Sequence, residues 1–464
     1  MSDMNDLLNK YLGDYVPDNV NKEFEIRFST LNMKRSITKI DFDNVCSRLK
    51  SLKFNCANPN GNYYLRVQNT YMNAQGKEIL SNIRFELNGL HIIRDFCLYE
   101  NINRLMENES FDGEMEIVKK DRVKMPNGEP LKHINNDDYQ FRAAYQHESK
   151  IKKNSNIVNK IVHNWDNSKK LYRYINRIEL KHDDYPILFH LSIVKSNKRE
   201  KNGKGPKLAY SLQESNLFNN AESYEIELEI DNARLNEERW KDSKVILESL
   251  KKCIKQVLCG MQKTNYPITL NEKKSVFAEY LEIVYGEDHN ERLDVKHFIG
   301  PSNLTLQRKN ILDNGDDNIA NIRVNYSVTD KADGERYLLY ISSEGKIYLI
   351  DINMNLVFTG SMTKNKDYFN SILDGEYITH DKYGLNISLF ACFDIYFLKK
   401  EDVRKHIFIN NEIDLDGKKE KITRLSLLKD VVENLKPKSI TKNKKILTHF
   451  IIEVKHFEVS NDIF

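Results

Sequence analysis

The sequence predicts an α+β protein of two domains, an antiparallel β-barrel followed by a domain that mixes helices with a second set of strands. Length gives the first reason: the chain has 464 residues, and single cores stop growing at about 250 to 300 residues. Texture gives the second. From Tyr63 to Ile230 most segments read as strands, whereas from Asn232 helical spacing takes over before strands return. The boundary is therefore placed near residue 235, with domains over residues 1–235 and 236–464.

After a short amphipathic opening, "NKEFEIRFST" (Asn21–Thr30) alternates strictly, with Glu23, Glu25 and Arg27 on one face and Phe24, Ile26 and Phe28 on the other. "SITKIDFDNVCSRLKSLKF" reads as a capped amphipathic helix. The strands that follow are "YYLRVQNTYM", "SNIRFELNGL", "GEMEIVKK", "YQFRAAYQHES", "LYRYINRIELK", "ILFHLSIVKS" and "SYEIELEI". "SNKREKNGKGPK" is a basic, solvated loop between the last two. Beyond the boundary, "ARLNEERWKDSKVILESLKKCIKQVL" and "NEKKSVFAEYLEIVYG" read as helices, the second stopping at Gly286 ahead of a polar stretch, "GEDHNERLD". Strands return with "RVNYSVTDK", "ERYLLYIS", "KIYLIDIN", "SILDGEYI" and "NISLFACFDIYFL", then a helix, "KITRLSLLKDVVENL", and "THFIIEVKHFEV".

Hydrophobic residues at 40% and charged residues at 30% describe a folded chain rather than a disordered one. Lys and Arg (71) nearly balance Asp and Glu (68), so any nucleic-acid partner must be met by local patches rather than by bulk charge. The six cysteines form no CxxC pair and have no histidine at zinc-finger spacing, which suits a reducing compartment. No apolar run reaches the roughly 18 residues of a membrane helix, and the N-terminus lacks signal-peptide character, so a cytoplasmic protein without membrane contact is expected.

Two strands concentrate acid: "EFEIRF" with Glu23 and Glu25, and "SYEIELEI" with Glu225, Glu227 and Glu229. Like charges side by side repel, so such a face needs open water or a cation, and either strand alone is most simply a solvent-facing edge. Together they bracket strands carrying Arg84, Lys119, Arg142, Arg173, Arg177 and Lys195. A barrel with its apolar residues outward and these charges inward would form a hydrophilic tunnel, in which carboxylates suit hard divalent cations and the bases suit phosphate.

This pairing of ExE strands resembles the metal-dependent RNA triphosphatases of the triphosphate-tunnel superfamily. The resemblance implies a magnesium or manganese ion held by Glu23, Glu25, Glu227 and Glu229, with Glu225 beside them. It implies catalytic roles for Glu25 and Glu227, one glutamate helping to position the attacking water, and phosphate contacts from Arg84, Arg142, Arg173, Arg177 and Lys195. His190 stands where related enzymes tend to have an acid.

In the second half, "DKADGER", "LDGEYI" and "FACFDIYFL" follow one another in the order of the covalent nucleotidyltransferases, which are capping guanylyltransferases and polynucleotide ligases; "FIGPSNLTLQRKNI" resembles the segment preceding the nucleophile in capping enzymes. Lys331 would attack the α-phosphate of GTP, which requires an uncharged amine from a group whose ordinary pKa is about 10.4. By the same resemblance Arg336, Glu376 and Phe393 bind nucleotide and Asp394 holds metal. The family's Lys-x-Lys strand and oligonucleotide-binding lid are not matched after Asp394, so the nucleotidyltransferase domain is expected to be incomplete at its C-terminus, within a longer polypeptide that carries a lid and a cap methyltransferase. Joined in this order, the halves are similar to the multifunctional mRNA capping enzymes of large cytoplasmic DNA viruses, with the RNA 5′ end and GTP as partners. An ATP-dependent ligase with a β-rich N-terminal domain, or a non-catalytic phosphate-binding scaffold, remains the alternative.

Overall fold

A computed structural model describes residues 2–13, 22–28, 36–200, 205–287, 289, 291–312, 321–322, 326–409, 422–441 and 450–459. Part of the basic loop after Ser196, part of "RVNYSVTDK" and the start of "THFIIEVKHFEV" lie outside the described residues. The chain forms two compact units, Met1–Met261 and Gln262–Phe464.

The first unit is built on strands β1 (Lys22–Phe28), β2 (Asn62–Met72), β3 (Ile83–Asn88), β4 (Met115–Arg122), β5 (Phe141–Lys150), β6 (Lys170–Lys181), β7 (Ile187–Ser196) and β8 (Ser223–Ile230). They pair in the order β6-β7-β8-β1-β5-β4-β3-β2, and β2 pairs again with β6, so the sheet closes into an eight-stranded barrel that is antiparallel throughout. Period-two alternation then sorts side chains between lumen and exterior. Phe24, Ile26, Phe28, Phe141, Ala143, Tyr145, Phe189, Leu191, Ile226 and Leu228 are buried outside the ring, in a core completed by the helix Ser2–Gly13 and by α1 (Lys39–Ser51). Helix α1 starts where the sequence says it should, at a capping box between Thr38 and Asp41. A second apolar cluster covers the other flank beneath Leu90–Tyr99, a helix not anticipated from the sequence.

The long helix α2 (Ser243–Gln262) belongs to this first unit, and that moves the division between compact bodies from residue 235 to the Met261–Gln262 junction. Ile246, Leu250, Cys253, Val257 and Leu258 are buried in the same core as Phe24 and Phe28. Helices α1 and α2 approach closely at Gly260, where an added Cβ would sit 2.7 Å from the Cα of Val45.

In the second unit β9 (Glu335–Ile341), β10 (Lys346–Asp351), β11 (Leu356–Met362), β12 (Ser371–His380) and β13 (Asn386–Leu398) form an antiparallel sheet ordered β13-β12-β9-β10-β11, with β14 (Ile451–Val454) added in parallel to β13. Leu338 and Tyr340 pack on one face with helix α3 (Leu270–Tyr285), while Tyr337, Leu339 and Ile341 pack on the other with α4 (Arg424–Leu435). The protein is thus α+β, a closed antiparallel barrel followed by a helix-flanked sheet. Lys331 is not on a strand: among the described residues just before it, Ser327–Val328 is extended, pairing with Glu458–Val459, and residues 329–334 are irregular.

Gly260→Ala should destabilise the first unit by about 1 to 3 kcal/mol, because two packed helix backbones must part. A fall in the urea midpoint without loss of slope measures it.

Candidate functional site

Strand register fixes what faces the barrel lumen. Glu25 lies directly opposite Glu229, and Arg27 opposite Glu227, on the adjacent strands β1 and β8. Glu227 is also opposite His190 on β7. With Glu23 and Glu225 in step on the same faces, the five predicted glutamates converge inside the ring.

Basic groups interleave with them. Arg27 pairs with Glu227 at 2.7 Å and Glu225 at 3.4 Å, Arg173 with Glu225 at 2.7 Å, and Arg177 with Glu227 at 3.2 Å. Lys120 bridges Glu23 at 2.5 Å and Glu25 at 3.4 Å. Arg84 pairs with Glu86 and, at 3.0 Å, with Glu148, while Arg66 meets Glu86 at 2.9 Å. His190 lies 3.4 Å from Glu229 and 3.2 Å from Glu179, so the imidazole at the position expected to be acidic is held between two acids.

Two predicted basic residues fall elsewhere. Lys195 shares the outward parity of Leu191 and Ile193 and donates to the Phe218 carbonyl at 2.9 Å. Lys119 also points outward, pairing with Asp121, and its neighbour Lys120 enters the lumen. Arg142 has lumen parity opposite Arg27 and contacts Asn135 at 3.2 Å. Arg66, Glu86, Lys120 and Glu148 were not singled out from the sequence, and Arg27 was placed on the face of Glu23 and Glu25 without a role; counting by two from outward Met115 and Ile117 would have found Lys120.

Burial and crowding split the glutamates. Burial raises Glu25, reinforced by repulsion from Glu23. Burial, with Glu23 next, pushes Glu229 up to about 8. Burial would raise Glu227 too, but Arg27 and Arg177 more than offset it and hold that carboxyl far below the usual range. Carboxylate oxygens converging on one wall, two of them reluctant to ionise, form a donor set that fits a hard divalent cation.

The second unit gathers its motif residues around Arg336. Its guanidinium forks onto Asp374 at 3.1 and 2.5 Å and donates to the Pro301 carbonyl at 2.5 Å. It lies 5.6 Å from the Phe298 ring centre and 5.7 Å from that of Phe393. Asp374, fully buried and also accepting from Tyr396, holds this pocket together and was not picked out of "LDGEYI". Glu376 sits opposite Arg336 on β12, its Oε2 buried without a hydrogen-bond partner. Asp394 is gripped by Arg424 at 2.8 and 3.1 Å. Gly375 is required by close approach, since a Cβ there would meet the Ala391 carbonyl oxygen at 2.7 Å. Lys331 is 85% exposed and bonded to Asp333 at 2.8 Å, an acceptor that raises its pKa and keeps it charged.

Residues 242–461 match the family model "mRNA capping enzyme, catalytic domain". Capping-enzyme likeness extends to a probable mRNA-capping enzyme of Acanthamoeba polyphaga mimivirus, 31% identical over 205 residues that cover 41% of this chain and 15% of the relative. The chain thus matches only a small part of that viral relative's length. Among solved structures, the triphosphatase of the mimivirus capping enzyme is 17% identical with a TM-score of 0.33, covering 55% of this chain and 95% of that one. No helix among the described residues is long and apolar enough to cross a membrane.

A carboxyl whose folded-state pKa is raised still holds its proton where the unfolded chain has lost it, so it weakens folding progressively from about pH 4.5 to pH 8. Without added divalent metal, Glu229→Gln should therefore be more stable than the parent near pH 9, and the advantage should shrink toward pH 5. Urea unfolding at both pH values checks the sign.

Proposed function

We propose that the chain carries two successive steps of mRNA capping: hydrolysis of the γ-phosphate from a triphosphate RNA end in the barrel, then formation of a lysyl-GMP adduct in the second unit. The observation that carries the reading is the barrel lumen, where glutamates of β1 and β8 oppose each other within a ring of arginines and a lysine.

Arg66, Arg84, Arg173, Arg177 and Lys120 would exchange their carboxylate partners for phosphate oxygens as the triphosphate enters. Glu25, raised by burial, is the better proton acceptor for the attacking water, while Glu227 stays ionised beside Arg27. Water adds to the γ-phosphorus, the bond to the β-phosphate oxygen breaks, and inorganic phosphate and a diphosphate end leave. Magnesium or manganese, held by Glu23, Glu25, Glu227 and Glu229, would supply charge neutralisation on the γ-phosphate.

In the second unit Lys331 must first give up its proton and its Asp333 partner. Its Nζ then bonds to the α-phosphorus of GTP as the α–β bridge breaks and pyrophosphate leaves, and the diphosphate RNA end later displaces the lysine. Arg336, anchored by Asp374, presents its guanidinium to the nucleotide beside Phe393. Glu376, with its unpartnered oxygen, is the nearer candidate for a ribose or metal contact, because Asp394 would have to release Arg424 first. Further capping domains and a cytoplasmic location fit this reading.

In the polypeptide that naturally carries this sequence, Glu25→Ala and Glu227→Ala should each cut phosphate release from triphosphate RNA by roughly a hundredfold or more, with the lysyl adduct retained. Lys331→Ala should do the reverse, abolishing the adduct with label from GTP and sparing phosphate release. An adduct formed only from ATP would make the second unit a ligase module, and absence of metal-dependent phosphate release would leave the barrel a phosphate-binding scaffold.

A further inference from the structure

The polar stretch between Gly286 and Phe298 contains a cluster that neither capping step uses. His297 is 1% exposed, and its backbone carbonyl accepts the Tyr280 hydroxyl of α3 at 2.7 Å. Its Nδ1 accepts from the Asp294 backbone N–H at 2.9 Å and lies 3.1 Å from the Asp294 carbonyl oxygen, whereas Nε2 is buried without any hydrogen-bond partner. The Nε2 of His289 is likewise buried and unpartnered. The two rings stand 5.2 Å apart at 83°, and Tyr285 stacks on His289 at 4.7 Å. Glu291 completes the group, its Oε2 3.8 Å from the Nε2 of His297. One ligand atom from each of the three residues lies within 4.8 Å of the others.

Buried polar nitrogens are almost always satisfied, so two orphaned imidazole nitrogens beside one carboxylate call for a shared partner. We propose that His289, Glu291 and His297 bind a zinc ion that pins the segment leading into the Arg336 pocket. Two imidazoles and one carboxylate suit zinc rather than the hard cations expected in the lumen. Tetrahedral zinc with bonds of about 2.0 to 2.1 Å holds its ligand atoms roughly 3.3 Å apart, so the side chains need close in by up to about 1.5 Å. Zinc at Nε2 selects the tautomer in which His297 Nδ1 carries the proton and donates to the Asp294 carbonyl, at the cost of the bond that Nδ1 otherwise accepts from the Asp294 N–H; a backbone bond of the first kind fixes the ring of ligating histidines. Lys296 now pairs with Glu291, but both side chains are mostly exposed and the lysine can turn to water. The fourth position, on the open side of Glu291, belongs to water.

The consequence lies one residue on. Phe298 packs beside the Arg336 guanidinium and Pro301 accepts its hydrogen bond. A metal fixing His297 therefore fixes the strip that shapes that pocket, without entering the chemistry at Lys331.

The test strips the full chain of metal by dialysis against a chelator, then titrates it with zinc, and in parallel with cobalt(II), under calorimetry and visible absorption. One equivalent of tightly bound zinc is expected, with the strong visible band of four-coordinate cobalt; oxygen-ligated, six-coordinate cobalt in the lumen absorbs only weakly. His289→Ala should remove the band and Glu291→Gln should weaken zinc binding about tenfold or more. Both positions are partly exposed, so the fold should survive, and circular dichroism checks that. The proposal is overturned if the parent takes up no zinc at this stoichiometry, or if both folded variants bind zinc and give the cobalt band as the parent does.

Discussion

Glu25 and Glu229 face each other across adjacent strands, and the first unit is organised around making that opposition tolerable. Like charges directly opposite in a sheet repel, and burial worsens the repulsion by removing water. The barrel answers with Lys120, Arg27, Arg173 and Arg177 from neighbouring strands, each within ion-pair reach of a lumen glutamate. Those strands converge only because β2 pairs with β6 and closes the ring. Filling the lumen with charge also turns the apolar faces outward, so the hydrophobic core of this unit lies around the barrel.

Charge is distributed unevenly inside. Glu227 has two arginines and stays ionised, whereas Glu25 and Glu229 are raised by burial and by their acidic neighbours. One carboxylate is held as an anion between two arginines, while the other two resist ionisation. The second unit applies the opposite economy: a single fully buried acid, Asp374, immobilises Arg336, and the lysine beside it hangs in water on an irregular loop.

What the sequence disclosed follows from periodicity. Strict alternation around Phe24, Ile26 and Phe28 identified the lumen face of β1 and its glutamates, and every strand of the barrel was legible in this way. Where alternation broke, placement failed by one residue: Val118 follows Ile117, and that apolar doublet hid which of Lys119 and Lys120 points inward. Lys195 failed for a related reason, because charge suggested the lumen while its parity with Leu191 and Ile193 put it outside. Asp374 was passed over because a buried structural acid and a turn acid look alike in a short motif. His289, Glu291 and His297 occupy a stretch without regular period, so only three dimensions bring them together.

The attachment of α2 to the barrel bears on how this protein can be divided. Cutting at residue 235, where strand texture gives way to helix, would strip Ile246, Leu250, Cys253 and Val257 from the outer surface of an inside-out barrel. Phe24, Ile26 and Phe28 would lose part of their cover, and an apolar patch of that kind draws one chain onto another. The helix that reads as the opening of the second domain is in this sense the waterproofing of the first, and a soluble barrel has to be taken with it.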